Sequence, residues 1–224
     1  FLKPAKHVDP LPSDKVDDTY KKLRLQVFLG IFIGYAGYYL LRKNFSLAMP
    51  SLIEDGFSKG ELGIALSAIS IAYGFSKFVM GTVSDRSNAR VFLTLGLLLT
   101  ATVNLLLGFV PFFTSSITIM FIMLFLNGWF QGMGWPPSGR VLVHWFSVSE
   151  RGSKTSIWNV AHNVGGGLMA PIATWGISMT TLYNFGYLRG FEGVFIYPGL
   201  LAIVIAIIAY FLIRDTPQSQ GLPP

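Results

Sequence analysis

Six long apolar runs, separated by short polar segments, make up most of the sequence. Each run is close to the length of about 20 residues that an α-helix needs to cross the hydrocarbon core of a bilayer. The pattern therefore predicts six membrane-spanning helices. Their predicted bounds are Leu25–Met49, Lys59–Ser84, Val91–Phe113, Ile117–Phe146, Gly152–Thr181 and Phe195–Ile213.

Local signals predict where these helices begin, bend and approach one another. Ser58 followed by Glu61 is the pattern of a capping box and predicts the start of the second helix. The fourth run is interrupted by Trp-Pro-Pro at 135–137. Glycines 165–167 in the fifth run favour a close approach of two helices.

Polarity divides the chain into three parts. Residues 1–24 are polar and of mixed charge, residues 25–213 hold the apolar runs, and residues 214–224 are rich in Pro and Gly. The first run is too long for the apolar region of a cleavable signal peptide. We therefore expect an all-α polytopic membrane protein, with an N-terminal segment, a six-helix transmembrane domain and the start of a central linker.

Composition supports the membrane assignment and explains most of the positive charge. Hydrophobic residues make up 52% of the chain and charged residues 12%, with a net charge of +6 and a mean hydropathy of +0.54. Basic residues gather in the N-terminal segment and in alternate loops, which predicts that both termini are cytoplasmic. The charge therefore reflects topology, and nucleic acid is not an expected partner. The absence of cysteine excludes disulfides and thiolate metal sites.

Three cations inside the apolar runs need a different explanation. Arg42, Lys43 and Lys77 lie within runs that contain no deep Asp or Glu. An unpaired charge in a membrane costs several kcal/mol, unless it faces a water-filled cavity. Snorkelling to an interface is the alternative for Lys43 and Lys77. Taken together, the cations indicate a pathway for a small anion.

Aromatic and polar side chains accompany these cations at helical spacing. Tyr35, Tyr38 and Tyr39 precede Arg42 by seven, four and three residues, which predicts one shared helix face. Tyr73 stands one turn before Lys77. The fifth run adds Trp158, Asn159 and His162. A single His in a membrane helix is also commonly a packing residue, and that alternative stays open here.

The motifs argue against catalysis and against ATP-driven or proton-driven transport. The sequence has no His-Glu-x-x-His, no Gly-x-Ser-x-Gly and no P-loop. Proton relays in membranes favour carboxylates, which the runs lack. We expect no enzyme, no cofactor and no metal.

The segment GTVSDRSNAR, residues 81–90, resembles the loop motif between the second and third helices of the major facilitator superfamily. Asn88 replaces the usual second glycine. The resemblance implies a cytoplasmic charge latch between helices, formed by the acid and the arginines. The matching positions are Gly81, Asp85, Arg86 and Arg90.

Further motifs extend the resemblance along nearly the whole chain. They are YYLLRKNFSLAMP, ISIAYGFSKFVMG, GWFQGMGWPPSGR, WNVAHNVGGG and RDTPQSQGLPP. Together they are similar to the N-terminal half of the organophosphate:phosphate antiporters, a family of that superfamily. The resemblance implies exchange of an organophosphate for inorganic phosphate across the bacterial inner membrane by alternating access. FQGMGWPP favours glycerol-3-phosphate over hexose phosphate as the substrate.

The same resemblance implies an architecture and a set of site residues. The six helices would form two inverted three-helix repeats and would need a C-terminal six-helix half as partner. Arg42 would bind the phosphate, with Lys77 and His162 lining the same site. Supporting positions would be Tyr35, Tyr39, Tyr73, Lys43, Tyr38, Asn159, Trp135 and Trp158.

Two other classes of protein fit parts of the pattern. A sugar-phosphate receptor of the same fold would share these motifs, bind its ligand without transport and signal to a membrane kinase. A purely structural six-helix membrane protein would require Arg42 and Lys77 to snorkel. Loss of ligand binding on replacement of Arg42 separates the structural class from the other two.

Overall fold

The computed structural model describes residues 2–183 and 188–223. Within these ranges the regular structure is helical, so the predicted all-α fold is confirmed. The α-helices are α1 (Ser13–Leu40), α2 (Asn44–Glu54), α3 (Lys59–Asp85), α4 (Ala89–Phe109), α5 (Ile117–Gln131), α6 (Trp135–Trp145), α7 (Val148–Asn159), α8 (Ala161–Tyr183) and α9 (Gly193–Leu212). Short 3₁₀ turns occupy Pro111–Thr114 and Pro217–Gln220.

Five helical stretches in the described ranges are long and apolar enough to cross a membrane. They are Ser13–Glu54, Lys59–Asp85, Ala89–Phe109, Ile117–Trp145 and Gly193–Leu212. The predicted fifth span is formed by α7 and α8, which are helical but contain more Gly, Ser and Thr and are therefore less apolar. α8 packs against α1 and α9, so it belongs to the same bundle.

The first span begins earlier than predicted and is broken in its middle. α1 begins at Ser13 rather than Leu25, and the helix stops at Leu40 before resuming at Asn44. The expectation of one continuous helix over Leu25–Met49 is therefore wrong. A helix end leaves carbonyl groups without partners within the helix. Side chains of α5 donate to the carbonyls at this break. Asn127 donates to the Leu41 carbonyl at 3.5 Å, and Gln131 donates at 2.9 Å to the Tyr38 carbonyl, which also accepts from the Leu41 N–H.

Two other local signals are present in the structure. The fourth run is interrupted three residues earlier than predicted, at 132–134, and Trp135 with its two prolines forms the first turn of α6. Proline suits this position because its missing N–H would have no helical partner there. The capping box is present: Ser58 Oγ accepts from the Glu61 N–H at 3.3 Å, and Glu61 Oε2 accepts from the Ser58 N–H at 3.0 Å.

Small residues allow helices to touch backbone to backbone at two crossings. A Cβ at Gly128 of α5 would lie 2.3 Å from the carbonyl oxygen of Ile69 in α3. A Cβ at Gly165 of α8 would lie 2.1 Å from the carbonyl oxygen of Ala36 in α1. Both distances are far inside van der Waals contact, so these glycines set the spacing of α3–α5 and α1–α8.

We expect Gly165→Ala to destabilise the bundle by about 2 kcal/mol, because α1 and α8 must move apart. Gly166→Ala and Gly167→Ala are matched controls, since an added Cβ meets nothing within 4 Å at either position. In those two variants the better helix propensity of alanine should stabilise by up to about 1 kcal/mol. Unfolding free energies in detergent measure all three, and equal values would contradict close packing at Gly165.

Both chain ends fold back onto one end of the bundle, in an arrangement we call the terminal clasp (residues 2–11 and 214–222). Leu11 N–H donates to the Gly221 carbonyl at 2.9 Å, and Asn88 N–H donates to the Leu2 carbonyl at 2.7 Å. The tail that the sequence marks as a linker is therefore packed against the membrane helices as far as residue 222.

A buried ion pair lies at the centre of the clasp. Arg140 of α6 pairs with Asp215 at 3.3 Å, and the Asp215 side chain is only 1% exposed. Asp215 also accepts from the backbone N–H groups of Ala5 and Ala89, each at 2.9 Å. Arg140 donates in addition to the Ser87 carbonyl. This network joins the N-terminal segment, the α3–α4 loop, α6 and the tail.

Candidate functional site

Arg42 lies inside the first membrane stretch rather than at its end. At 1.5 Å per helical residue it is about 25 Å along the chain axis from Leu25 and about 18 Å from Glu54. The break between α1 and α2 directs its side chain toward α3. Its depth predicts that it meets an aqueous cavity or a binding partner rather than a lipid headgroup.

Two cations share one aromatic ring at this point. The Arg42 guanidinium carbon lies 4.0 Å from the ring centroid of Tyr73, and Lys77 Nζ lies 4.5 Å from the same centroid. The face of an aromatic ring attracts cations. Tyr73 therefore stabilises both charges and keeps them close together. Arg42 Nη1 also donates to the Tyr39 hydroxyl at 3.2 Å, which fixes the guanidinium.

These cations lack carboxylate partners in the part of the chain that the structure describes. Its ion pairs join Arg24 to Glu150, Arg140 to Asp215, and Arg189 to Asp55 and Glu192. Arg42, Lys43 and Lys77 are in none of them. The site therefore has an excess of positive charge that an anion can neutralise.

Aromatic contacts connect the Arg42 site to α7 and α8. Tyr39 lies against His162 with ring centroids 5.4 Å apart, and Tyr35 lies against Trp158 at 4.5 Å. Tyr35 and Tyr39 also meet edge to face at 5.4 Å. The structure thus brings Arg42, Lys77 and His162 together with Tyr35, Tyr39 and Tyr73.

The cations open onto two cavities. Arg42 and Lys43 line a cavity of about 370 Å³ together with Ser46 of α2 and Ser70 of α3. Lys77 lines a larger cavity of about 960 Å³ between α3 and α6. Hydroxyl groups and cations on one wall suit a small oxyanion, since both donate hydrogen bonds.

Several predicted positions lie outside this cluster. Tyr38 is buried and donates to the Leu93 carbonyl at 2.7 Å, so the predicted common face of three tyrosines is wrong for Tyr38. Trp158 is buried behind Tyr35 and donates to the Ile31 carbonyl at 3.3 Å. Trp135 lines the cavity that Lys77 borders, and Asn159 is exposed at the end of α7.

The loop motif is divided between two environments. Asp85 and Arg86 are exposed, and Gly81 and Asp85 line the larger cavity that Lys77 also borders. Arg90 Nε donates to the Tyr210 carbonyl at 2.6 Å, and its guanidinium stacks on the Tyr210 ring at 3.8 Å. A latch that uses Asp85 stays a prediction.

Buried amides form a part of the site that sequence reasoning missed. Asn44, two residues after Arg42, donates to Asn104 of α4 at 3.1 Å, and both are buried. Gln131 and Asn127 bind the carbonyl groups at the break, as described above. Their signal was available, because polar side chains in apolar runs are usually functional or structural contacts.

Comparison with known proteins places the chain in a family. The model of the Major Facilitator Superfamily matches residues 31–224. The chain is 61% identical over 224 residues to the glycerol-3-phosphate transporter of Bacillus subtilis, which covers 100% of this chain and 49% of that protein. It is 39% identical over 217 residues to the membrane sensor protein UhpC of Escherichia coli, which covers 96% of this chain and 46% of that protein.

A solved structure shows the same fold at low sequence similarity. A bacterial homologue of the human lysosomal transporter Spinster, inward-facing and unoccupied, superposes with a TM-score of 0.75 at 16% identity. The match covers 88% of this chain and 44% of that one.

These comparisons confirm the resemblance found in the motifs. The chain spans about half the length of the curated relatives it matches. With its apolar helices it is a multi-pass membrane protein, and it is related to transporters rather than to enzymes. The chain belongs to the major facilitator superfamily.

Proposed function

We propose that this chain is the N-terminal half of an antiporter that exchanges glycerol-3-phosphate for inorganic phosphate across the bacterial inner membrane. The observation that carries the proposal is the pair of Arg42 and Lys77 on the ring of Tyr73, inside two membrane-spanning stretches and without a carboxylate partner in the described ranges. The 61% identity to the Bacillus subtilis glycerol-3-phosphate transporter supports the choice of substrate.

Each group in the site has a distinct role in this proposal. The planar guanidinium of Arg42 donates two parallel hydrogen bonds to phosphate oxygens, and Lys77 adds a compact charge. Tyr39 fixes the guanidinium from one side, so less side-chain freedom is lost when the anion binds. When the site is empty, the Tyr73 ring partly compensates for the missing anion.

The packing of the helices supports the proposed inverted repeats. If the two repeats are equivalent, α1 corresponds to α5, α3 to α8 and α4 to α9. The α3–α5 contact then corresponds to the α8–α1 contact, and the α4–α9 contact corresponds to itself. All three pairs are packed in the structure. The proposed substrate site then lies at the interface with the C-terminal half, where alternating access requires it. If both termini are cytoplasmic, as the loop charges predict, the terminal clasp is on the cytoplasmic side.

Phosphate exchange in liposomes tests the proposal. The chain is assembled with the C-terminal half of the Bacillus subtilis transporter, and uptake of labelled phosphate against internal phosphate is measured. We expect uptake that external glycerol-3-phosphate inhibits, and no uptake by the chain alone. A folded assembly that neither binds phosphate nor exchanges it would overturn the proposal.

A sensor is the second candidate, because the chain is 39% identical to the membrane sensor protein UhpC. Both candidates use the same cationic site, so binding does not separate them. A sensor should bind an organophosphate but should not exchange it for phosphate. Measuring binding and exchange on one preparation therefore decides between the two.

A further inference from the structure

One face of α1 continues the pattern of the Arg42 site toward the terminal clasp. A line of residues on α1 runs from cations near the clasp to the tyrosines of the Arg42 site. Its members are Lys21, Arg24, Phe28, Tyr35 and Tyr39. Their spacings of three, four, seven and four residues place them on one face of the helix.

α7 and α8 carry a matching line. Lys154, Trp158 and His162 follow one another at intervals of four and face the α1 line. Lys154 Nζ lies 5.8 Å from the ring centroid of Phe28. The Trp158–Tyr35 and His162–Tyr39 contacts described above continue the series toward Arg42.

The facing lines of α1 and of α7 and α8 form a seam, and a pocket lies at the end of the seam nearest the terminal clasp. It has a volume of about 260 Å³, and its lining includes Lys21, Arg24 and Lys154 with aromatic walls from Phe28 and Phe146. The Arg24 guanidinium lies 4.8 Å from the centroid of Phe146, and Lys154 Nζ lies 5.7 Å from it. Three cations therefore converge on one small volume with an apolar floor.

The pocket keeps an excess of positive charge. Its carboxylate, Glu150, pairs with Arg24 at 2.5 Å and accepts from the Ser147 hydroxyl at 2.9 Å. Those two contacts, Ser147 first, lower the pKa of Glu150, so it stays charged. Lys21 and Lys154 take part in no ion pair among residues 2–183 and 188–223. Two cations thus remain available to a ligand.

This pocket is separate from the Arg42 site. Arg24 and Arg42 are 18 residues apart, which is about 27 Å along a helix. Between them, Tyr35 is 5% exposed and Trp158 is 1% exposed, so their contact closes the seam. A ligand in the pocket therefore does not touch the Arg42 site.

We infer that Lys21, Arg24 and Lys154 form a second binding site for a phosphate group. Guanidinium and ammonium groups are the usual protein ligands of phosphate. The group can belong to a free phosphate or organophosphate, or to the headgroup of an anionic phospholipid. Leu25, which borders the pocket, is 63% exposed at the start of the apolar run, where an acyl chain would lie. The site goes beyond the proposed exchange and does not depend on it.

The test removes two cations and separates the two sources of phosphate. The double variant Lys21→Gln with Lys154→Gln is compared with Lys15→Gln plus Lys22→Gln, which removes the same charge from exposed positions outside the pocket. All proteins carry Arg42→Ala to silence the other site and are assembled with the C-terminal half.

In one arm, inorganic phosphate is titrated into phosphatidylcholine nanodiscs while the melting temperature is followed. In the other arm, nanodiscs contain increasing phosphatidylglycerol without phosphate, and retained lipid is counted by native mass spectrometry.

We expect the pocket variant to lose about 25-fold in apparent affinity, from about fivefold for each of the two lysines, while the control does not change. A loss in the phosphate arm identifies a free anion as the ligand, and a loss in the lipid arm identifies a headgroup. Lys21→Arg with Lys154→Arg should retain binding, which excludes damage to the fold as the cause. Equal affinities of pocket and control variants in both arms would overturn the inference.

Discussion

Replacing Arg42 by lysine is expected to reduce phosphate affinity by about 100-fold, equivalent to about 3 kcal/mol, although the charge is kept. An ammonium group cannot form the two parallel hydrogen bonds that a guanidinium forms with phosphate. The variant also loses the planar contact over Tyr73 and the hydrogen bond to Tyr39. The effect therefore comes from geometry rather than from charge.

Equilibrium binding of labelled phosphate to the purified assembly measures this effect. Arg189→Lys is the matched control, because Arg189 is a half-exposed arginine whose ion pairs a lysine can keep. Phosphate affinity should not change in the control. Wild-type affinity in the Arg42→Lys protein would show that Arg42 acts only as a point charge.

Replacing Asp215 by alanine is expected to lower the free energy of unfolding by about 3–5 kcal/mol. The change leaves Arg140, whose side chain is 12% exposed, without its counter-ion. It also removes the acceptor of the Ala5 and Ala89 N–H groups. A buried charge and two orphaned donors are each costly.

Denaturant unfolding in detergent gives the magnitude, with Asp17→Ala as the control for loss of an exposed acid. A second variant, Arg140→Met with Asp215→Leu, removes both charges together. It should recover part of the loss, because no unpaired charge then remains buried. If Asp215→Ala and Asp17→Ala unfold alike, the clasp contributes nothing to stability.

Sequence and structure agree where the physics is local. Apolar runs of membrane length predict the helices, and Ser58 with Glu61 predicts the start of α3. The cationic cluster was also predictable, because a membrane helix seldom contains an unpaired Arg or Lys without a functional reason.

The disagreements come from contacts between distant parts of the chain. The break at Arg42 depends on Asn127 and Gln131, 86 and 93 residues from the carbonyls they bind. Tyr38 shares the spacing of the site tyrosines, yet its hydroxyl reaches Leu93 on another helix. Helical spacing predicts the direction of a side chain around the helix axis only to within tens of degrees. The packing of the helices then decides which neighbour that side chain contacts.

The terminal clasp has a consequence for the order of biogenesis. Ala5 leaves the ribosome 210 residues before its acceptor Asp215. Domains form from the N-terminus onward during translation. The N-terminal segment is therefore made before its partner, and the helices between the two are synthesised in the interval. The clasp closes only after α9 has been made, so its closure is a late step in the folding of this bundle.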